Sequence, residues 1–360
     1  MARIVLKDLV KQFGAHTAVK GVSLDIKDGE FLIMVGPSGC GKTTTLNMIS
    51  GLVMPTSGEI TIGDRVVTHT EPGERGLGMV FQDLALFPHM TVFDNIAFGL
   101  RVKNVSRAEI DDRVRKAAEA MHISGLLDKR PGQCSGGEAQ RVALARTIVT
   151  NPSVYLMDEP LSSLDAKLRI DMRTELKHLH ERLNGTFVYV THDQAEAMTM
   201  ADRIVVMSSG RIEQLGGPLD IYRRPQTRFV AGFFGMPTMN FVDGEIAGNG
   251  AKPRFHAENF ESDLAADLDP AHTGRRIVLG VRSEHVLFVD ANTSGARPAT
   301  VDLIEPMGDA TLVFFDYGGA NRLVAKVDPD LTLAPGDRIH FKPDPANCHL
   351  FDADSGARLN

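Results

Sequence analysis

Residues 36–43 read Gly36-Pro37-Ser38-Gly39-Cys40-Gly41-Lys42-Thr43, a full match to G-x-x-x-x-G-K-[ST]. Glycines let backbone N–H groups curl round a polyphosphate, and a helix starting there adds partial positive charge. Lys42 can reach β- and γ-phosphates, and Thr43 can place its hydroxyl on Mg²⁺. An apolar run at 31–35 precedes the pattern and a helical stretch at 42–50 follows it, which is the context it requires. The chemistry announced is the binding of a nucleoside triphosphate.

A second group of residues could act on that ligand. Residues 154–159, Val-Tyr-Leu-Met-Asp-Glu, are an apolar strand ending in two carboxylates. Asp158 is placed to hold Mg²⁺ directly or through water, and Glu159 to polarise a water for attack on the γ-phosphate. Upstream, Cys134-Ser135-Gly136-Gly137-Glu138-Ala139-Gln140-Arg141 opens another helix. There a hydroxyl, backbone N–H groups and the helix dipole point one way, so it is a second anion site. Two phosphate-type sites on one chain serve either two nucleotides or one nucleotide shared between chains. His192 follows an apolar run at 187–190 and precedes a helix, at the edge where phosphate sites gather.

The elements that must position these residues alternate. Strands are expected at 4–6, 22–26, 31–35, 58–63, 78–81, 154–157, 187–190 and 204–207. Helices are expected at 42–50, 106–122, 165–184 and 193–200, with Ser106 and Glu109 as a capping box. That alternation predicts a parallel sheet covered on both faces. The texture changes at Met236. From there on strands are expected at 241–246, 277–281, 299–304, 311–316, 323–327 and 338–342, separated by turn signals, so a small all-β barrel is predicted. The two domains are therefore placed at 1–235 and 236–360.

Composition narrows the class. The chain has 360 residues, 43% hydrophobic and 24% charged, which suits a globular protein of two or three domains. No apolar run reaches about 18 residues, and the first ten residues lack a signal-peptide layout. Cys40, Cys134 and Cys348 are widely spaced, as in a reducing compartment. Net charge is −7, and residues 236–360 carry 11 Lys/Arg against 19 Asp/Glu, so nucleic acid is not an expected partner.

Taken together, the motifs resemble the ATP-binding subunits of ABC transporters, over roughly residues 3–230. Gln82 in MVFQD matches that family's Mg²⁺-touching, coupling glutamine. CSGGEAQR matches the signature, LMDEP the acidic strand, and Leu161-Ser162-Ser163-Leu164-Asp165 the loop after it. His192 in YVTHD matches the switch histidine. Phe13 sits where the family stacks an aromatic on adenine. Closer still, EPGERGLGMVFQDLALFPHMTVFDNIAFGL, DEPLSSLDAKLR, THDQAEAMTMADRIVVM, LGVRSEHV, EPMGDATLVFF and CHLFDADSG resemble the carbohydrate importers of the maltose-importer type.

The resemblance implies an α/β P-loop ABC ATPase domain followed by an all-β oligonucleotide-binding-type, TOBE-like barrel. It implies ATP and Mg²⁺ as ligands, with Gly36–Thr44 (Thr43 and Thr44 included), Phe13, Ser135, Gly136, Gly137, Glu138 and Asp165 binding nucleotide. Thr43, Gln82 and Asp158 would hold the metal, and Glu159, His192, Gln82 and Lys42 would carry catalysis. It further implies a head-to-tail homodimer in which Ser135 and Gly137 of one chain complete the site built on Lys42 and Glu159 of the other.

The implied partners are two membrane permeases, an extracytoplasmic solute-binding protein indirectly, and a regulatory protein on the barrel. The implied location is the cytoplasmic face of a bacterial inner membrane, and the implied cargo a carbohydrate, polyol or glycerol-phosphate. The apolar stretch 84–90 is either a core-packed loop or a groove that receives a short helix from each membrane subunit, with Leu86, Phe87 and Met90 as contacts.

Departures from the family pattern are Cys134 for Leu, Glu138 for Gln, Ser163 for Asn or Ala, and Ser283 for Pro. Glu138 either repels a partner-bound γ-phosphate or turns away to cap backbone N–H groups.

Overall fold

The computed structural model describes residues 2–247, 254–264 and 274–360. Contacts divide it into Met1–Leu219 and Asp220–Asn360. The chain starts as a hairpin of β1 (Ile4–Phe13) and β2 (His16–Ile26), with Phe13 opposite His16. Both strands are longer than their expected apolar pieces. Register shifts after Leu6, Leu9 and Lys11 interrupt the alternation by which a strand is read. β3 (Phe31–Val35) leads into α1 (Lys42–Ser50). β4 (Ser57–Ile62) and β5 (Arg65–Val66) then return to the hairpin and complete an antiparallel sheet in the order β2-β1-β4-β5.

After β6 (Leu77–Val80) come α2 (Val92–Val102), α3 (Arg107–Ala120) and α4 (Gly136–Ile148). Sequence pattern did not single out α2, although Thr91 caps it in a T-x-x-D arrangement, accepting from the Asp94 N–H at 3.1 Å. Ser106 caps α3 as expected, but the box is half made. The Glu109 carboxylate pairs with Arg113 instead of returning to the cap. The unit ends with β7 (Val154–Asp158), α5 (Ala166–Leu183), β8 (Thr186–Val190), α6 (Gln194–Met200), β9 (Arg203–Ser208) and β10 (Arg211–Gly216).

The second sheet has the order β10-β9-β3-β8-β7-β6, parallel throughout except for β10. β3, β7 and β8 are buried at every position, as strands covered on both faces must be. The expected single parallel sheet is thus corrected to two sheets. One apolar cluster joins them, including Ile4, Leu6 and Val22 with Leu32, Leu156 and Val188. Burying side chains of this size stabilises the fold by roughly 1.5–3 kcal/mol each.

In the second unit α8 (Arg228–Phe233) follows α7 (Pro218–Arg223), whose first two residues lie before the division. One five-stranded sheet holds β11 (Asn240–Ala247), β12 (Arg254–Ala257), β13 (Phe260–Asp263), β14 (Arg276–Val281) and β20 (Cys348–Asp352). The other holds β15 (Val286–Phe288), β16 (Arg297–Pro306), β17 (Thr311–Asp316), β18 (Leu323–Val327) and β19 (Arg338–Pro343). They enclose one core, with Phe255, Phe260, Phe315 and Phe341 inside, and form a nearly closed all-β barrel. The buried Asn240 side chain joins the sheets by exchanging two 2.8 Å hydrogen bonds with the Val324 backbone.

The division at 219/220 falls ahead of the composition break at 235/236. The cause is packing that composition does not show. Buried Arg282 donates to the carbonyls of Tyr222 at 2.6 Å and Phe234 at 2.7 Å, and stacks 3.5 Å from the Tyr222 ring centre. Ala231 is buried against Met239, Val278 and Phe351. Residues 220–235 therefore belong, by contact, with the barrel.

Candidate active site

Parallel strands deliver their ends to one edge, and the topology brings the chemistry there. β3, β8, β7 and β6 are neighbours, with Met34 beside Val190, Val190 beside Asp158 and Met157 beside Val80. Past the carboxyl ends of these strands lie the 36–43 loop, His192, Asp158 with Glu159, and Gln82, in a row. Ligands of such sheets bind outside these strand ends.

The 36–43 loop is shaped by close approach. Gly36 has φ +151°, and a Cβ there would lie 2.2 Å from the Met207 carbonyl oxygen. Only glycine fits without moving β9. Lys42, 6% exposed, donates from Nζ to the Gly36 carbonyl at 2.7 Å and the Pro37 carbonyl at 3.1 Å, with Cys40 Sγ at 3.7 Å. Its ammonium is therefore held inside the curl of backbone that a phosphate would enter. Phosphate oxygens can replace these carbonyls with stronger, charge-assisted bonds.

Thr43 Oγ1 donates to Asp158 Oδ1 at 3.0 Å. Burial pushes the Asp158 carboxyl above its ordinary range, against the opposing pull of the Thr43 hydroxyl. A buried carboxylate beside a hydroxyl is a hard oxygen pair whose charge a cation would relieve. Among the described residues no group of three His, Cys, Asp or Glu side chains could hold a metal. The Thr43–Asp158 oxygen pair suits Mg²⁺, which takes few protein ligands and completes its shell with phosphate and water.

Glu159 has φ +43°, rare for a residue with a side chain and costly by about 1–2 kcal/mol. Its N–H donates to the Val190 carbonyl at 2.9 Å, which holds the turn against β8. The strain brings the carboxylate to His192, whose Nδ1 lies 3.0 Å from Glu159 Oε2. His192 is 60% exposed and Glu159 21%, so this pair sits at the mouth of the edge.

Other residues expected at the site are engaged in contacts of their own. Exposed Phe13 ends β1 in the antiparallel sheet, with the Lys11 ammonium 4.9 Å from its ring centre. Asp165 caps α5, accepting from the Leu168 N–H at 3.0 Å. Ser135 starts α4 in a complete capping box. Its Oγ accepts from the Glu138 N–H at 3.3 Å, and Glu138 Oε2 accepts from the Ser135 N–H at 2.7 Å. Those bonds hold the Glu138 carboxyl below its ordinary range. Of the two readings of Glu138, the capping one is what the structure contains. Gly137 has a packing reason of its own, since a Cβ there would lie 2.1 Å from Leu168 Cδ2 on α5.

Sequence reasoning missed the two residues that shape the 84–90 loop. Leu84 and Ala85 both have positive φ, and Arg146 on α4 donates to their carbonyls at 2.8 and 2.6 Å. Buried Asn95 on α2 accepts from the Phe87 N–H at 2.7 Å and donates to its carbonyl at 3.1 Å. An amide in the apolar stripe of a helix was the available signal. Phe81, Ala85, Phe87 and Phe98 line an apolar groove, with the Phe87 and Phe98 rings 4.6 Å apart. Of the three expected contacts, Phe87 lines it, whereas Leu86 and Met90 are half-buried beside it.

Comparison with known proteins places this geometry. The ABC transporter family profile matches residues 19–162, the MalK OB fold domain 235–286 and the TOBE domain 279–351. The chain is 48% identical to the sulfoquinovosyl glycerol transport ATP-binding protein SmoE of Agrobacterium fabrum, over 98% of each chain. It is 45% identical to the sn-glycerol-3-phosphate import ATP-binding protein UgpC of Cupriavidus pinatubonensis, over the whole of both. Among solved structures, the dimeric bacterial ABC transporter cassette MJ0796 matches 60% of this chain and 98% of its own, at 34% identity and a TM-score of 0.55. The same cassette bound to ADP and Pi, in a post-hydrolysis state, matches equally well.

Proposed function

The chain belongs to the ATP-binding subunits of ABC importers, and from that premise we propose how it works and on what. As such a subunit it is an ATPase that powers import. The reading of its site rests on one observation: Lys42, the Thr43–Asp158 pair and the Glu159–His192 pair converge at one edge of a parallel sheet.

Lys42 and the loop Gly36–Thr44 bind the triphosphate, and Phe13 stacks on the base. Thr43, Asp158 and Gln82 would hold Mg²⁺, which when bound would offset negative charge on the phosphate oxygens. Glu159 accepts a proton from the attacking water, and His192 keeps the carboxylate oriented while facing the γ-phosphate. Two copies pair head to tail, so that Ser135 and Gly137 of one complete the site of the other.

The groove at Phe87 and Phe98 receives the permeases, an exposed apolar patch beside the nucleotide edge being what a coupling contact needs. No helix among the described residues is long and apolar enough to cross a membrane. As an importer's ATP-binding subunit, the chain works from the cytoplasmic face, docked on its permeases. A solute-binding protein feeds those permeases from outside, and the barrel offers a surface for regulation. Relatives named for sn-glycerol-3-phosphate and sulfoquinovosyl glycerol favour a glycerol-linked polar solute within the carbohydrate class.

Glu159→Gln tests the site. It is expected to keep ATP affinity and lower steady-state hydrolysis by about 10²–10⁴-fold, the usual scale of general-base catalysis. Turnover like that of the wild type refutes the assignment.

A further inference from the structure

We propose that Arg169 is a positioning residue for hydrolysis, tying the 161–165 loop to the turn that carries His192 and so fixing the Glu159–His192 pair. The inference rests on the ATPase reading of that pair. Arg169 lies in the first turns of α5, after the cap at Asp165. Its guanidinium reaches two different elements. One nitrogen donates to the Leu164 carbonyl at 2.8 Å, and the other lies 3.5 Å from Asp193 Oδ2.

Both contacts belong to a closed circuit. Ser162 anchors the loop to Glu159, its N–H and Oγ donating to the Glu159 carbonyl at 3.2 and 2.9 Å. From Leu164 the circuit passes through Arg169 to Asp193. That residue is itself fixed, because its Oδ1 caps α6 by accepting from the N–H groups of Ala195 at 2.7 Å and Glu196 at 3.1 Å. The Asp193 N–H donates to Thr191 Oγ1 at 3.0 Å. His192 stands between these two held residues, and its ring returns the circuit to Glu159. An exposed imidazole takes its direction from the backbone beneath it, so whatever holds residues 191–193 aims the ring.

Arginine suits this place and lysine does not. The planar fork offers separate donors to a carbonyl and a carboxylate at once, whereas an ammonium on a flexible stem holds one geometry poorly. Both partners of the ion pair are part-buried, 30% and 23% exposed, so the packing around them holds its geometry. The loop it grips is the one that follows the acidic strand. A displacement of residues 161–165 is thereby transmitted to the switch histidine.

The test uses the full chain with Arg169→Ala, Arg169→Lys, Asp193→Asn and the double variant Arg169→Ala/Asp193→Asn. Asparagine caps a helix as well as aspartate, so Asp193→Asn removes the charge and keeps α6 capped. Arg169→Ala is expected to lower kcat by about tenfold to a hundredfold, the scale of small misplacements near reacting groups, with KM for ATP within about twofold. Arg169→Lys should recover only part of the loss. Asp193→Asn should lower kcat in the same direction, and the double variant should fall no further than Arg169→Ala. The ¹⁵N resonances of the His192 ring should move in Arg169→Ala and in Asp193→Asn.

Unchanged His192 resonances, a loss carried by KM, or multiplicative effects in the double variant would each overturn the proposal. If Arg169→Ala does not fold, Asp193→Asn carries the kcat and resonance readouts alone. Glu159→Gln is run in parallel. If it keeps full turnover the ATPase site is misread, whereas its inactivity beside a fully active Arg169→Ala defeats this inference only.

Discussion

Two helices of the first unit begin next to glycine at a place for phosphate, and they are built in opposite ways. α1 begins behind a loop pressed into the protein. Gly36 abuts the backbone of β9, Gly41 caps the helix with no side chain of its own, and Lys42 is buried with its charge directed inward. α4 begins as an exposed capping box in which Ser135 and Glu138 satisfy each other's backbone groups, and open space surrounds Gly136. The first start supplies a cation and a concave backbone. The second supplies a hydroxyl and a dipole but no cation, and its carboxylate is turned onto its own helix start. A nucleotide neutralised elsewhere can approach α4, but a triphosphate cannot be held there alone. That asymmetry favours one shared nucleotide over two separate ones, and it can be attacked one glycine at a time.

The largest effect is expected from Gly36→Ala. The new Cβ meets the Met207 carbonyl at 2.2 Å, and the backbone there lies in a region alanine avoids. A loss of about 2–4 kcal/mol and a Tm lower by roughly 5–15 °C should follow, with ATP no longer raising Tm. Thermal unfolding with and without ATP measures both. An ATP-responsive variant of unchanged Tm would mean that the loop is looser than the contrast requires.

Gly137→Ala comes next. Its Cβ collides with the tip of Leu168 rather than with backbone, and a side chain can turn aside. The expected cost is about 1–3 kcal/mol, from repacking α4 against α5. Binding of ATP to the isolated chain should survive, because the site on α1 is untouched, while the proposed completion of a partner's site by α4 predicts that steady-state turnover falls. Lost affinity in calorimetry would show that α4 is not a separate half-site.

Much of this was legible beforehand, for a physical reason. Phosphate chemistry dictates residue types at fixed local spacing, so Lys42, Thr43 and Asp158, which the fold brings to one edge, could be read in order along the chain. The runs 31–35 and 187–190 announced buried parallel strands because both faces of β3 and β8 are covered. What stayed hidden depends on contacts distant in sequence. The long β1–β2 hairpin is obscured by its register shifts. Residues 220–235 join the barrel through Arg282, whose partners lie about fifty residues away. Asn95 and Arg146 shape the 84–90 loop by reaching its backbone from two helices. No local pattern encodes such a reach. Glu138 is the instructive middle case, since its motif position suggested an effect on phosphate and its geometry shows a cap.

The smallest effect, and the finest test of the contrast between the two helix starts, is therefore Glu138→Gln. Glutamine can keep the reciprocal bond to the Ser135 N–H, so the capping box survives and only the charge is lost. Because the carboxylate is turned onto its own helix, relief of repulsion toward a partner's phosphate should be slight. Steady-state ATPase should rise by about tenfold or less, and by less at high ionic strength. The pH dependence has a definite sign. The folded protein holds the Glu138 carboxyl below its ordinary range, chiefly through the Ser135 N–H. Its stabilising contribution is therefore present above the unfolded value and is lost as pH falls through the folded one. Wild type should exceed the glutamine variant in Tm at neutral pH, and the gap should close as acid protonates the carboxylate. A gap that widens in acid would mean that the carboxylate strains α4. The two helix starts would then differ less than their hydrogen bonds indicate.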